Sequence, residues 1–287
     1  MDMDAGPRQG WQEAGLWPTN SGLEEPKMTS EKADYSEIAQ VYDRARTGNA
    51  PHLEWWFQRI AEVGELGPGK RLIDLGCGTG RWTVPLTERT GCEAVGLDRS
   101  PEMLKKARAK DVHGLVTWLV GDVERLGLQP ETFDCAFMCL MMHHVDDHLG
   151  TFQGVLRLLR PGGIFLIRQG TLEQIMDDPW HRFFPEAITI DRKRTPFRAE
   201  IEMWMREAGF EQVETEEVKQ FTYRDLADLN ERMLGEVRLR VASVLRLISD
   251  EAFQPGLQRI EAYVREHPDD MWLRETLFAL FSARRAR

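Results

Sequence analysis

The sequence predicts an α/β chain: a doubly wound, mostly parallel seven-stranded sheet with a helical cap inserted before the last strand. Three observations carry this reading. Short apolar segments and helical segments alternate five times between residues 71 and 170, as in a parallel sheet buried on both faces. A glycine-rich turn, "GCGTG" at 76–80, directly follows the first apolar segment. About 50 residues of helical text then separate two later strand-like stretches, a length that marks a lid or cap rather than a loop.

In order along the chain, residues 1–30 mix Gly, Pro, Asn, Ser and Thr between isolated tryptophans and read as a flexible extension, with Trp11 and Trp17 as docking residues. Residues 31–70 carry two helices: "EKADYSEIAQVYDRA" sets Tyr35, Ile38, Ala39 and Tyr42 on one face, and "PHLEWWFQRIAEVGEL" is opened by Pro51 and closed near Gly64 or Gly67. The core spans 71–221. "RLIDLG", "CEAVGLD", "VTWLVGD", "FDCAFMCLMM" and "IFLIRQG" are its five apolar strands. The helices between them are "RWTVPLTERT", "SPEMLKKARAK" (Ser100 as cap, Pro101 in its first position) and "HLGTFQGVLRLLR", which "PGG" stops. A substrate-side insertion follows at about 171–197, then the amphipathic helix "FRAEIEMWMREAGF" ending at Gly209, and "EQVETEEVKQFTY", whose alternation reads as a sixth strand. Residues 222–270, containing "RDLADLNERMLGEVRLRVASVLRLI" and "GLQRIEAYVREHP", form the helical cap, and 271–287 the last strand and tail, antiparallel to its neighbours.

Composition excludes several classes. The chain has 287 residues, 42% of them apolar, enough for one large domain or a domain with a cap. Its formal charge of −10 disfavours nucleic acid as a partner. The basic pieces Arg192-Lys193-Arg194 and Arg284-Arg285 are short and read as solvated surface. No apolar run approaches the roughly 20 residues of a membrane span, and the polar, acidic start does not fit a secretory signal. Cys77, Cys92, Cys135 and Cys139 lack paired CxxC spacing, so reduced thiols in a cytoplasmic protein are expected. Oligomeric state is not encoded legibly.

The glycine loop decides the cofactor. A dinucleotide site uses G-x-G-x-x-G, whereas Gly76, Gly78 and Gly80 make G-x-G-x-G, with Arg81 where the third glycine would fall. Asp74 precedes the loop. A carboxylate there repels a pyrophosphate but suits a cationic group such as an ammonium.

"DLGCGTG" resembles motif I of the class I S-adenosylmethionine-dependent methyltransferases, in the bacterial branch that acts mainly on small molecules. "AVGLDRSPEML", "GDVERL", "FDCAFMCLMMHHVDD" and "LLRPGGIFLI" fall in that family's order, so the likeness runs over about residues 36–220. It implies the Rossmann-like methyltransferase fold and S-adenosyl-L-methionine as cofactor, with S-adenosyl-L-homocysteine as product. By resemblance, Gly76, Gly78 and Gly80 let the backbone approach the methionine and ribose portions, and Asp74 faces the amino-acid end. Asp98 takes the two ribose hydroxyls, Arg99 and Met103 flank adenine, and Asp122 and Val123 close the adenine edge. Cys139 lies where the fourth strand meets the methionine moiety. Tyr42 matches a tyrosine that closes over the cofactor in many relatives, or is an inward helix-face aromatic.

"MMHHVDDH" at 141–148 leaves the fourth strand at the end of the sheet where open α/β folds bind ligands. His143 or His144 is the candidate base for a hydroxyl or amine acceptor; the alternative is that one histidine only orients the loop. Quinone-type O-methyltransferases have a similar E-x-x-E-H-V stretch with metal-binding acids. Here Leu140 replaces the first acid, so no metal is expected, and His144 aligns with the family histidine. In "DPWHRFFPEAITIDRKRTPF", Trp180, His181, Phe183, Phe184 and Arg194 either wall an acceptor pocket or anchor the cap to the core. The expected activity is methyl transfer to a small organic acceptor; a non-catalytic cofactor-binding protein on the same fold is the alternative.

Overall fold

A computed structural model describes residues 50–176, 180–222, 234–235, 237–240, 242–267 and 274–287. The expected extension at 1–30, the helix carrying Tyr42 and residues 223–233 of the expected cap lie outside them. The element order is α1 (Ala50–Val63), β1 (Arg71–Leu75), α2 (Thr83–Thr90), β2 (Glu93–Asp98), α3 (Pro101–Lys110), β3 (Val116–Val120) and β4 (Phe133–Cys139). A 3₁₀ turn (Met142–His144) leads to α4 (His148–Leu158), β5 (Leu159–Gln169), α5 (Leu172–Ile175), α6 (Trp180–Phe183), α7 (Glu186–Arg194) and α8 (Arg198–Glu207). Then come β6 (Phe210–Thr222), α9 (Ser243–Arg246), α10 (Asp250–Glu266) and β7 (Arg274–Arg285).

The seven strands form one sheet in the order β3-β2-β1-β4-β5-β7-β6. β1 pairs in parallel with β2 and β4, β2 with β3, and β4 with β5, while β7 runs antiparallel between β5 and β6. Successive residues of β1 serve opposite faces. Leu72 joins Trp56, Phe57 and Ile60 of α1 and Leu86 of α2 on one side, whereas Ile73 and Leu75 join Phe152 and Val155 of α4 and Ile201 and Met205 of α8 on the other. That division explains why β1, β4 and β5 read as continuous apolar runs.

Local chemistry fixes the helix starts. Ser100 Oγ accepts the Met103 N–H at 3.3 Å, with Pro101 in the first helical position, and Asp147 Oδ1 accepts the Gly150 N–H at 2.8 Å at the start of α4. A third apolar cluster stands apart from the sheet. Phe183, Phe184 and Ala187 pack with Val237, Val244, Leu245, Ile248, Phe253, Ile260 and Val264, so α6 and α7 share a small core with the inserted helices α9 and α10.

Two boundaries differ from expectation. β5 begins at Leu159, ahead of "PGG", because β7 and the tail reach that segment: the Gly162 N–H donates to Ala286 O at 3.3 Å and Arg284 Nη1 donates to Gly162 O at 2.9 Å. α10 begins at Asp250 rather than Gly256 and keeps Pro255 inside it. Ser249 caps its first turn, so the helix is nucleated before the proline is reached.

Candidate active site

The carboxyl ends of β1 to β5 gather one set of polar and glycine positions, at the point where the strand order reverses between β1 and β4. Open α/β sheets bind ligands there. Gly76, Gly78 and Gly80 all have left-handed backbones, with φ of 75°, 54° and 70°, yet their surroundings differ. A Cβ on Gly76 would lie 2.3 Å from Met141 Sδ, and one on Gly80 would lie 2.7 Å from Trp118 Cη2 and 3.1 Å from Ala107 Cβ. Those two glycines admit neighbouring protein. A Cβ on Gly78 would meet nothing within 4 Å, so the open space of the loop lies over Gly78.

The loop is tied to β2 through Asp98. The Gly78 N–H donates to Asp98 Oδ2 at 2.8 Å and the Ser100 N–H to Oδ1 at 2.8 Å. Each carboxylate oxygen therefore keeps acceptor capacity beyond its one backbone bond. Burial pushes the Asp98 pKa up, opposed by these two bonds and by Arg99. Asp74 is buried, and Thr83 Oγ1 donates to its Oδ2 at 2.5 Å. Desolvation raises its pKa to about 7, against the Thr83 bond and with help from the Asp98 charge.

Past β3, Asp122 is half-buried and its Oδ1 accepts the Glu124 N–H at 3.0 Å, while Val123 is buried in the core cluster. Met103 is buried on α3 and Arg99 is exposed. Cys139 ends β4 half-buried, opposite Arg168 of β5 in register, and Arg168 Nη1 lies 3.8 Å from its Sγ. Burial raises the Cys139 thiol pKa, with Arg168 and Arg81 opposing. The Arg168 guanidinium is itself buried, 3.8 Å from the Phe278 ring centroid, 4.4 Å from Trp56 and 5.2 Å from Trp82. These faces hold a cation where water cannot.

β4 delivers the histidines through Leu140, a non-glycine residue at φ 54°, followed by the 3₁₀ turn. The buried Gln169 at the end of β5 braces that turn, its Oε1 accepting the Met142 N–H at 3.4 Å. His143 and His144 are half-buried with ring centroids 4.2 Å apart. His148 serves the frame instead: its Nε2 bonds Met142 O at 3.0 Å, its ring stacks on Trp204 at 4.2 Å, and burial lowers its pKa. Tyr42 lies outside the described residues.

Among the residues expected as pocket walls or anchors, Phe183 and Phe184 anchor: Phe184 stacks on Phe253 at 5.4 Å and Phe183 meets Tyr263 at 5.5 Å. His181 and Arg194 both bond Asp191. Arg194 is thus part of a buried network and not of a solvated basic strip. The side chain of Trp180 lies outside the described residues. Among the described residues no group of three or more His, Cys, Asp or Glu is placed to hold a metal ion.

Sequence reasoning missed Arg168, Gln169, Asp191 and Ser243. A polar pair ending the apolar run "IFLIRQ" was a signal for the first two. Nothing local marks Ser243, whose neighbours in space come from 49 and 100 residues away.

Residues 73–167 match the family described as "Methyltransferase domain". The chain is 28% identical over 137 residues to a demethylmenaquinone methyltransferase of Staphylococcus saprophyticus, covering 46% of this chain and 58% of that one. It is 31% identical over 128 residues to a malonyl-acyl-carrier-protein O-methyltransferase of Serratia marcescens, covering 44% and 49%. The chain thus spans about half the length of the curated relatives it matches. In fold it is similar to a phosphoethanolamine N-methyltransferase of Haemonchus contortus solved with S-adenosyl-L-methionine, at a TM-score of 0.60 and 20% identity, covering 92% of this chain and 62% of that one. It is also similar to the cyclase SpnF, at 0.62 and 17%, covering 88% and 93%. Within the seven-stranded sheet and around the glycine loop, residues 73–167 carry the methyltransferase domain that this family describes.

Proposed function

We propose that the chain transfers a methyl group from S-adenosyl-L-methionine to a small organic acceptor, using the carboxyl ends of β1 to β5 as the cofactor site and the histidine turn on the acceptor side. The tie between Gly78 and Asp98 carries this reading. It sets a carboxylate with spare acceptor capacity beside Gly78, the one loop glycine where a Cβ would meet nothing within 4 Å, which suits a ribose diol lying over that backbone. Asp74 is assigned to the ammonium end, where a bound cation would favour its ionised form, and Asp122 is an acceptor for the adenine amino group. Met103 and Val123 give the ring apolar contact and Arg99 its outer face. Gly76 and Gly80 keep the loop close to Met141, Ala107 and Trp118, while Cys139 borders the methionine portion. Tyr42 is assigned as the closing residue from the N-terminal side.

When bound, the cofactor supplies an electrophilic sulfonium methyl. The chain's own work is alignment of the acceptor, exclusion of water and removal of a proton. His144 takes the proton of an acceptor hydroxyl or amine as that atom attacks. The segments 180–197 and 222–270 serve as the cap over the acceptor. The excess of acid over base, and the inward engagement of Arg194, support a small molecule over nucleic acid. Four free cysteines and the lack, among the described residues, of a helix long and apolar enough to cross a membrane support action in the cytoplasm. Methyl-labelled cofactor offered with phenols, carboxylates, amines and stabilised carbanions tests the reading. Label recovered on one acceptor class supports it; cofactor bound with transfer to none favours the non-catalytic alternative.

A further inference from the structure

A chain of buried polar groups runs from the inserted helices to the histidine turn. His181 Nε2 bonds Asp191 Oδ2 at 3.0 Å and His181 Nδ1 bonds Met176 O at 3.1 Å. Arg194 grips the other Asp191 oxygen through Nε and Nη2, both at 3.1 Å, and Nη2 also donates to Ser243 Oγ at 2.8 Å. Ser243 Oγ lies 3.4 Å from His143 Nε2, and the His143 ring lies against His144 at 4.2 Å. His181, Asp191 and Ser243 are each less than 9% exposed, so water does not compete for the His181–Asp191 bond.

Donor capacity fixes the direction of the chain at Arg194. A guanidinium only donates, so Ser243 Oγ is the acceptor in its bond to Arg194. The hydroxyl proton of Ser243 is thereby available to His143 Nε2, 3.4 Å away. A neutral imidazole that accepts at Nε2 carries its own proton on Nδ1. We propose that Ser243, oriented by the Asp191–Arg194 pair, is a positioning residue that holds His143 as the Nδ1–H tautomer, and that this leaves His144 as the base for methyl transfer.

The assignment gives separate roles to two adjacent histidines that the sequence ranks only by resemblance. The Nε2 lone pair of His143 is spent on Ser243, so that nitrogen does not take a proton from an acceptor without breaking the bond. Its ring forms a fixed wall beside His144. Protonating His143 would reverse its bond to Ser243 and set a cation one hydroxyl away from Arg194. Because Ser243 sits on α9 and Arg194 on α7, the tautomer is set only when the inserted helices are docked on the turn; α7 packs directly against it. The device thus reports cap docking to the histidine pair.

The base assignment rests on the methyl-transfer reading, but the tautomer does not, and the experiment keeps them apart. Long-range proton–nitrogen NMR of full-length protein labelled on histidine nitrogens reads the tautomer of His143 without any acceptor. The wild type is expected to show His143 as Nδ1–H. Ser243→Ala is expected to shift it to a mixture led by the Nε2–H form that free imidazole prefers, and Ser243→Thr, which keeps the hydroxyl, to restore the wild-type pattern. S-adenosyl-L-homocysteine affinity, unchanged across the set, certifies that the variants are folded. His143 found as Nε2–H in the wild type, or a tautomer indifferent to Ser243→Ala, overturns the positioning role. On the acceptor identified with labelled cofactor, Ser243→Ala is expected to lower kcat about tenfold with KM little changed, and His144→Ala to lower it further than His143→Ala. The reverse ranking of the histidines overturns the base assignment. If no acceptor is methylated, the methyl-transfer reading has failed and the base assignment with it, while the tautomer measured by NMR still decides the role of Ser243.

Discussion

Replacing Asp74 by asparagine should change how stability depends on pH. The Asp74 side chain is buried inside β1, and desolvation lifts its pKa from 3.8 to about 7, the Thr83 hydroxyl pulling the other way and the Asp98 charge adding to the rise. In the unfolded chain the same group titrates near 3.8. Between these values the folded state holds a proton that the unfolded state has lost. Stability contributed by this group is therefore present in acid, falls as pH rises through the window and levels off above about pH 7. A displacement of about 3 pH units corresponds to roughly 4 kcal/mol in full. Over the practical range from about pH 5 to 8, linkage gives about 2.5 kcal/mol. Asp74→Asn keeps an oxygen for Thr83 and has nothing to titrate. Urea denaturation of both proteins across that range reads the difference, and titrations common to both cancel. The wild type should lose about 2.5 kcal/mol relative to the variant on going from pH 5 to 8. Curves that run parallel would refute the reasoning, because Asp74 would then titrate as a solvated carboxyl in the folded protein.

Two glycines of the same loop should respond differently to an added methyl. Gly80→Ala drives a Cβ to 2.7 Å from Trp118 at φ 70° and should cost about 1–3 kcal/mol in thermal or chemical unfolding. Gly78→Ala has open space at φ 54°; its stability loss should be smaller, and its main effect should be weakened S-adenosyl-L-homocysteine binding by calorimetry. Equal behaviour of the two would count against placing the ligand over Gly78. His144→Ala should leave cofactor affinity intact and lower kcat by roughly 10²–10⁴-fold, with the wild-type rate falling as pH drops through the histidine titration. A near-normal kcat with a raised KM would make His144 a pocket wall.

The parallel half of the sheet was legible because its strands are short, largely apolar runs, each ending in a turn with its own chemistry. "RLIDLG", "CEAVGLD" and "VTWLVGD" match β1, β2 and β3 closely. The start of β5 was not legible, since Gly162 is held in the strand by partners from residues 284 and 286, more than a hundred positions away. Pro255 hid the first turn of α10, which Ser249 caps. Residues 178–197 showed their aromatic content but not their helices, because α7 carries charges around most of its surface and buries only Ala187 and Asp191. The residues proposed for the cofactor side could be picked out through the family resemblance, as they end consecutive strands. The acceptor side could not: the bond from Ser243 to His143 and the cation held by Trp56, Trp82 and Phe278 exist only once distant segments meet.

The most direct test of the central claim is calorimetric titration of the wild type and Asp98→Ala with S-adenosyl-L-homocysteine, with NADH as the competing ligand. Saturable one-to-one binding of S-adenosyl-L-homocysteine is expected, with no comparable binding of NADH. Removal of the Asp98 carboxylate should cost about 1–3 kcal/mol, or roughly 5- to 150-fold in affinity. Unchanged affinity in Asp98→Ala, or a preference for NADH, would contradict the claim.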